Sequence, residues 1–173
     1  IGGLAFALAA QDTIKNIFGG ITIFTDNPFR IGDRIKVDGF DGFVEDIGIR
    51  STRIRTLEKR LVTIPNYKIV EASVENVSEE PKRRVLMKIG LVYNTSPEKM
   101  EMAISILKNI PKHVKHVDPD EMITTFSDFG EHALYITYIY FVLKDGDVMN
   151  TPSEVNFHIL KQFKEAGIEF AYP

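Results

Sequence analysis

The feature that most constrains this chain is its apolar beginning. Residues 1–10 are drawn only from glycine, alanine, isoleucine, leucine and phenylalanine, and Gln11-Asp12 then interrupts the run. Apolar residues return at the spacing of an amphipathic helix, at Ile14, Ile17, Phe18, Ile21 and Phe24. Asn27-Pro28 ends the predicted helix, because proline restricts the residue before it and cannot continue a helix.

The first half of this helix has one face with two leucines, and small residues lie on either side of that face. Leu4 and Leu8 are four positions apart and share one face. The small residues beside that face are Gly2, Gly3, Ala5, Ala7 and Ala9. Small residues let helix backbones approach closely, which is how helices associate in lipid. A ring of such helices would point two tiers of leucine at its axis, and a constriction of that kind blocks ions by dewetting.

The pattern alone leaves a second interpretation open, a buried alanine- and leucine-rich helix of a soluble protein. A bilayer span needs about 20 apolar residues, and the uninterrupted run has ten. A signal peptide is disfavoured, since the run has no basic leader and a polar break follows it. Because the sequence begins without methionine inside an apolar run, we expect it to be part of a longer protein with further membrane spans before Ile1.

Composition excludes several classes of function. The 173 residues are 44% hydrophobic and 26% charged, which is typical of one or two folded domains. There is no cysteine, so disulfides, thiol nucleophiles and cysteine-ligated metals are excluded. The formal net charge of −3 argues against a nucleic-acid partner, because duplex binders usually carry a basic excess. We find no catalytic motif and therefore predict neither an enzyme nor a cofactor.

After Pro28 the pattern changes to short strands. Strands are predicted at 34–38, along a continuous run at 43–56 that bends near Gly48, at 61–64 and at 71–77, with Phe40-Asp41-Gly42 as a hairpin turn. Four or five short strands in about fifty residues imply a small barrel or sandwich. The charged stretch 79–82 with its proline is the predicted linker to a second domain.

The remainder reads as a ferredoxin-like domain. Strands are predicted at 84–92, 122–129, 133–143 and 168–170, with helices at 97–110 and 152–166, and this order is βαββαβ. Ser96 is the predicted cap of the first helix, Thr151 opens a predicted capping box for the second, and Gly167 ends it. His113 and His116 lie near Asp118, but this loop is typical of solvated polar residues, so no metal site is predicted.

The first 35 residues resemble the pore-lining third helix and following segment of the small-conductance mechanosensitive channel (MscS-like) family. The resemblance rests on the glycine- and alanine-rich helix, the break Gln11-Asp12-Thr13 with Asn16, and the strand entry Pro28-Phe29 with Gly32-Asp33. It continues through Ile64-Pro65-Asn66 to the ending Phe170-Ala171-Tyr172-Pro173. It implies an α+β fold: a pore helix at 1–27, an Sm-like β domain at 28–78 and a ferredoxin-like domain at 79–173.

The resemblance also implies a kink in the pore helix, which we assign to Gln11, Asp12, Gly19 and Gly20. The family commonly has glycine where Asp12 stands, so the kink geometry is open at that position. Gly19 and Gly20 offer a second flexible point, because each weakens a helix by roughly 1 kcal/mol relative to alanine.

A basic cluster lies on one predicted strand and its turn: Arg50, Arg53, Arg55, Lys59 and Arg60. The favoured interpretation is a solvated strand face whose charges pair with three nearby carboxylates, Glu45, Asp46 and Glu58. The functional alternative is contact with lipid headgroups, or a wall that biases permeating ions.

The resemblance therefore implies a mechanosensitive ion channel that opens under membrane tension and releases ions and small solutes in hypo-osmotic shock. By resemblance it is a homoheptamer in the cell membrane, with membrane lipids and permeating ions as partners and residues from about 25 onward in the cytoplasm. The alternative is a soluble oligomeric Sm-like and ferredoxin-like module that binds RNA or a protein partner.

Overall fold

The computed structural model describes residues 1–173, and these divide into two compact units, Ile1–Glu80 and Pro81–Pro173. The division falls within the charged stretch at 79–82, where the sequence predicts a linker. The first unit holds α1 together with a β domain, and the second holds a three-stranded sheet with two long helices.

Helix α1 runs over Gly2–Asp26, twenty-five residues without interruption. It ends as predicted, since Asn27 adopts a left-handed conformation (φ 55°) and its N–H donates to the carbonyl of Ile23 at 3.0 Å. Neither α1 nor any other helix of the structure combines the length and the apolarity that a membrane crossing requires.

The β domain is a five-stranded antiparallel sheet. Its strands are β1 (Arg34–Val37), β2 (Phe40–Ile47), β3 (Ser51–Thr56), β4 (Leu61–Pro65) and β5 (Glu75–Asn76), in the order β4-β3-β2-β1-β5. Alternate residues point inward and form one core with residues from α1 and the loop after it. That core contains Ile23, Phe29, Ile35, Val37, Val44, Ile54, Ile64 and Ile69.

Two sequence predictions about this sheet are wrong. The first hairpin turns at Asp38-Gly39, both with positive φ (51° and 80°), so the predicted turn at 40–42 is part of β2. The predicted continuous run at 43–56 is two strands, because the Gly48 N–H donates to the Ser51 carbonyl at 2.8 Å and closes a tight turn.

A short helix, α2 (Asn66–Glu71), ends where the strand predicted at 71–77 should begin, and only Glu75–Asn76 of that segment form a strand, β5. Ile69 of this helix lies in the core at 2% exposure. Tertiary contacts therefore set α2, and no local periodicity signals a helix of six residues.

The second unit contains β6 (Lys82–Leu91), α3 (Pro97–Lys108), β7 (Val117–Phe129), β8 (Leu134–Leu143) and α4 (Asn150–Glu165). Its sheet has the order β6-β8-β7, and Phe170 adds an antiparallel bridge to Leu91 on the outer side of β6. This is the strand order of the predicted ferredoxin-like fold, with the last strand reduced to a single bridge. The α+β fold class is confirmed.

Two of the three capping predictions for the helices of this unit agree with the structure. The Ser96 hydroxyl accepts from the Lys99 N–H at 3.2 Å, and Gly167 has φ 68°, so both of those predictions are confirmed. The capping box at 151–154 is wrong, because α4 begins at Asn150 and Thr151 is buried. Asp147 caps instead, accepting from the Asn150 N–H at 3.0 Å.

Lys82 of β6 forms ion pairs with two carboxylates of β7, Asp118 and Glu121. Lys82 Nζ lies 2.7 Å from Oδ2 of Asp118, whose side chain is only 8% exposed. The hydrogen bond from Lys82 lowers the pKa of Asp118, and the Asp120 backbone N–H lowers that pKa further. A carboxyl with a lowered pKa stabilises the fold above its ordinary pKa, and this contribution is lost as pH falls through the folded-state value.

We therefore expect Lys82→Met to raise the pKa of Asp118 and to lower the free energy of unfolding at pH 7. The difference between the variant and the unsubstituted protein should begin to shrink near the ordinary carboxyl pKa of about 4 and vanish only below the lowered folded-state pKa of Asp118, where the carboxyl is protonated in both. NMR titration of the Asp118 carboxyl, with urea unfolding at pH 3 to 7, measures this. Lys108→Met removes the same charge from an exposed helix position and is the control.

Candidate functional site

The N-terminal part of α1 has no packing partner within its own chain. Every residue at 1–9 is exposed, including Leu4 at 69% and Leu8 at 64%. A Cβ placed on Gly2 or Gly3 would meet no atom within 4 Å. The predicted gate residues Leu4 and Leu8, and the predicted packing residues Gly2, Gly3, Ala5, Ala7 and Ala9, therefore lie on a free helical segment.

Helix geometry fixes how the two leucines are arranged. Leu4 and Leu8 lie on the same face of α1, four residues apart, which separates them by about 6 Å along the helix axis. Phe6 lies about 200° away around the axis. The leucines thus form a stripe of two levels, separate from the other large apolar side chain of this segment.

The four predicted kink residues fall into two groups. Gln11 and Asp12 are exposed and lie inside continuous helix, so a bend at that point stays a prediction. Gly19 and Gly20 are buried against the β domain. A Cβ on Gly19 would lie 2.8 Å from the backbone carbon of Asn66, and one on Gly20 would lie 2.8 Å from the carbonyl oxygen of Ile49. The glycine pair therefore permits close backbone contact.

Asn66, at the start of α2, is the polar centre of this contact, and it is fully buried. Its Nδ2 donates to the carbonyls of Gly48 at 2.9 Å and Ile49 at 3.1 Å. Its Oδ1 accepts from the Thr52 hydroxyl at 2.9 Å. The amide thereby ties α2 to the turn between β2 and β3, and a buried polar group with these bonds satisfied costs little.

A second asparagine joins α1 to the same place. Asn16 Oδ1 accepts from the backbone N–H of Tyr67 at 3.2 Å, in the first turn of α2. Such N–H groups have no partner within the helix, so a side chain of α1 supplies one. We call Asn16, Gly19, Gly20, Asn66 and Tyr67 the helix–β junction.

Sequence reasoning missed the helix–β junction. The sequence predicts only a flexible point at the glycine pair and gives Asn66 no role of its own, because neither pattern reveals a contact between residues some fifty positions apart. Two consecutive glycines inside an amphipathic helix are nevertheless a signal of close approach that could have been weighed.

The basic cluster is spread over β3 and its flanking turns. Arg55 makes a two-pronged hydrogen bond to Glu45, with both N–O distances at 3.0 Å, so the predicted pairing with that carboxylate is confirmed. Arg50, Arg53, Lys59 and Arg60 are exposed. The pair between Arg55 and Glu45 is itself about half exposed, so water screens it.

The histidines of the second unit are engaged with other groups. His113 stacks on His158 with ring centroids 5.0 Å apart, and His116 Nδ1 lies 3.4 Å from a carboxylate oxygen of Asp145. Burial lowers the pKa of His158, and the adjacent His113 lowers it further. The two stacked rings lie in nearly parallel planes, 21° apart, and this arrangement does not suit two histidines that bind one metal ion.

Two family models match, and both describe mechanosensitive ion channels. Residues 12–79 match the model described as "Mechanosensitive ion channel, beta-domain". Residues 85–170 match "Mechanosensitive ion channel MscS, C-terminal". The chain belongs to the MscS family, a family of ion channels.

Two relatives that are named as mechanosensitive channels are similar in sequence to this chain over its whole length. It is 45% identical over 175 residues to the small-conductance mechanosensitive channel MscMJ of Methanocaldococcus jannaschii, with 100% of this chain and 50% of the relative covered. It is 30% identical over 178 residues to the low conductance mechanosensitive channel YnaI of Escherichia coli, with 100% and 52% covered.

A solved structure, that of Helicobacter pylori MscS in its closed state, superimposes with a TM-score of 0.85 at 27% identity. The alignment covers 98% of this chain and 66% of that one. The chain spans about half the length of the curated relatives it matches.

Proposed function

We propose that this chain is the pore-helix end and the two following domains of a mechanosensitive ion channel. The channel opens under membrane tension and passes ions and small solutes in hypo-osmotic shock. The observation that carries the proposal is a match to the channel family along the whole chain, together with a free apolar helix at its beginning.

The gate in this proposal is formed by Leu4 and Leu8. Their exposed stripe supports the assignment, because several copies of α1 around one axis would bring two levels of leucine together. The small residues beside the stripe would let neighbouring helices approach and slide. In the closed state the leucine levels exclude water and hence ions, and tension separates the helices until water enters.

The helix–β junction supplies the coupling in this proposal. Movement of α1 is transmitted to the β domain through Asn16 and Asn66, since each side chain hydrogen-bonds a separate element. The glycine pair keeps α1 close enough for those bonds. The proposed bend near Asp12, above the junction, would let the leucine segment tilt while the lower half of α1 stays docked.

The assembly is a homo-oligomer in the cell membrane, heptameric by family resemblance. The apolar residues of α1 outside the junction, such as Phe18 and Phe24, are exposed and suit contact with membrane lipid. The remaining residues, from about 25 onward, form the β domain and the second unit, and the proposal places them in the cytoplasm. Further spans before Ile1 would complete a multi-pass protein.

Patch-clamp recording of the full-length protein tests this function. The protein is expressed in cells that lack their own mechanosensitive channels, and a suction ramp is applied. Stepwise currents that appear with tension support the proposal. Silence from a protein shown to be inserted and assembled contradicts it. The soluble RNA- or protein-binding module is not favoured, since relatives matching the whole chain are named as channels.

The exposed part of the basic cluster is proposed to bias which ions permeate. We expect Arg50→Glu combined with Arg53→Glu to shift the reversal potential in a KCl gradient towards the K⁺ potential, because acidic side chains concentrate cations. The control is Arg55→Gln with Glu45→Gln, which removes a neutral ion pair. An unchanged reversal potential with a threshold that now depends on anionic lipid would assign the cluster to headgroup contact instead.

A further inference from the structure

An apolar groove of about 530 Å³ opens on the second unit, beside the N-terminal half of α3. Its floor is formed by Met100 and Ile104 of α3 and by Leu134 at the start of β8. Aromatic side chains form its walls: Tyr93, Phe126 and Phe129. Phe129 is 72% exposed, which leaves a large apolar surface in water at the mouth of the groove.

The rim of this groove is acidic. Glu101 lines it directly, and Glu98 lies one turn earlier on α3. Glu131 follows Phe129 by two positions, just past the end of β7. All three carboxylates are exposed. An occupant of the groove should therefore offer an apolar centre with basic groups around it.

Helix α4 presents a surface of that kind. Phe157 is 71% exposed and Leu160 is 45% exposed, three positions apart on the same face. Lys161 and Lys164 lie beside them, four and seven positions after Phe157, and both are exposed. We call these four residues the α4 ridge. Its apolar pair matches the groove in polarity, and its two lysines are opposite in charge to the carboxylates at the groove's rim.

The α4 ridge cannot reach the groove of its own chain. The buried face of α4 carries Val155, Ile159 and Phe163, which pack in the core of the second unit. Phe157 lies about 200° from Ile159 around the helix axis and so points away from that core. Only another molecule can bring the two surfaces together.

We propose that the α4 ridge of one copy docks into the α3–β7 groove of the next copy, which rests on the homo-oligomer proposed above. Two different surfaces on each copy make a head-to-tail contact, and contacts of that kind build a ring when the rotation between successive copies closes. The occupant of the groove is therefore a second copy of this chain, with Phe157 as the apolar anchor and lysine–carboxylate pairs at the rim.

Disulfide cross-linking in the full-length protein tests the contact, because residues 1–173 contain no cysteine. Any cysteine elsewhere is first replaced. Glu101→Cys with Lys161→Cys places one thiol at the rim and one on the ridge while leaving the apolar centre intact. Mild oxidation should give a ladder of covalent multimers from the double variant and only monomers from each single variant. Adding Phe157→Glu should reduce the ladder at least tenfold.

Two outcomes contradict the proposal. The first is a covalent dimer from Lys161→Cys alone, which would mean that ridge meets ridge. The second is a ladder of equal strength when Leu86→Cys, on the opposite face of the sheet, replaces Glu101→Cys. Tension-gated current is recorded from the same preparation as an independent measurement of channel function. Current without the specific ladder overturns only the docking contact, and the ladder without current overturns only the channel function.

Discussion

Leu8→Ser is expected to lower the tension at which the channel opens. In the proposed gate, the closed state excludes water from the leucine levels, and burying each leucine there contributes about 1.5–3 kcal/mol to that state. A serine hydroxyl binds water and removes this contribution in every subunit at once. Because about 1.4 kcal/mol changes an equilibrium tenfold, the combined loss should move the channel strongly towards the open state. The midpoint of the suction ramp in patch recordings measures it.

Two further variants make this result specific to the gate. Phe6→Ser removes a comparable apolar side chain from the same exposed segment, but from a different face, so the threshold should change far less. Leu8→Met keeps the apolar volume and should leave the threshold close to that of the unsubstituted protein. A Leu8→Ser channel that opens at the unsubstituted threshold would remove Leu8 from the gate and leave the family membership untouched.

The parts of the fold that the sequence predicts are those with strong local signals. The end of α1 at Asn27-Pro28, the cap at Ser96 and the left-handed Gly167 each depend on a few adjacent residues. The ferredoxin-like order follows from long segments with clear periodicity. In these places local preference and tertiary packing agree.

The sequence predictions are wrong where contacts with residues distant in the sequence determine the local structure. The turn near Gly48 is held by a hydrogen bond to Ser51 and by the amide of Asn66, eighteen positions away from Gly48. Helix α2 exists because Asn66 and Ile69 are buried by other elements. At the candidate site, the leucine stripe is visible in the sequence, but the helix–β junction requires knowledge of which backbones touch.

Gly20→Ala is expected to weaken the docking of α1 on the β domain. Two opposing effects determine the net change in the free energy of docking. Alanine favours the helix by about 1 kcal/mol over glycine. Its Cβ, however, would lie 2.8 Å from the Ile49 carbonyl oxygen and 2.9 Å from Asn66 Nδ2. Overpacking of this kind costs about 1–3 kcal/mol, and neither the carbonyl nor the satisfied amide can move without losing a hydrogen bond. The net effect is therefore a loss of docking.

Hydrogen–deuterium exchange in the full-length protein measures this loss at α2, where the Tyr67 N–H bonds to Asn16. Exchange at 66–71 should become several-fold faster in Gly20→Ala. Gly3→Ala is the matched control, because a Cβ there meets nothing within 4 Å of its own chain and α2 protection should stay unchanged. The two interpretations of the glycine pair predict opposite results. A flexible point would be stiffened by alanine and gain protection, whereas a close contact loses it.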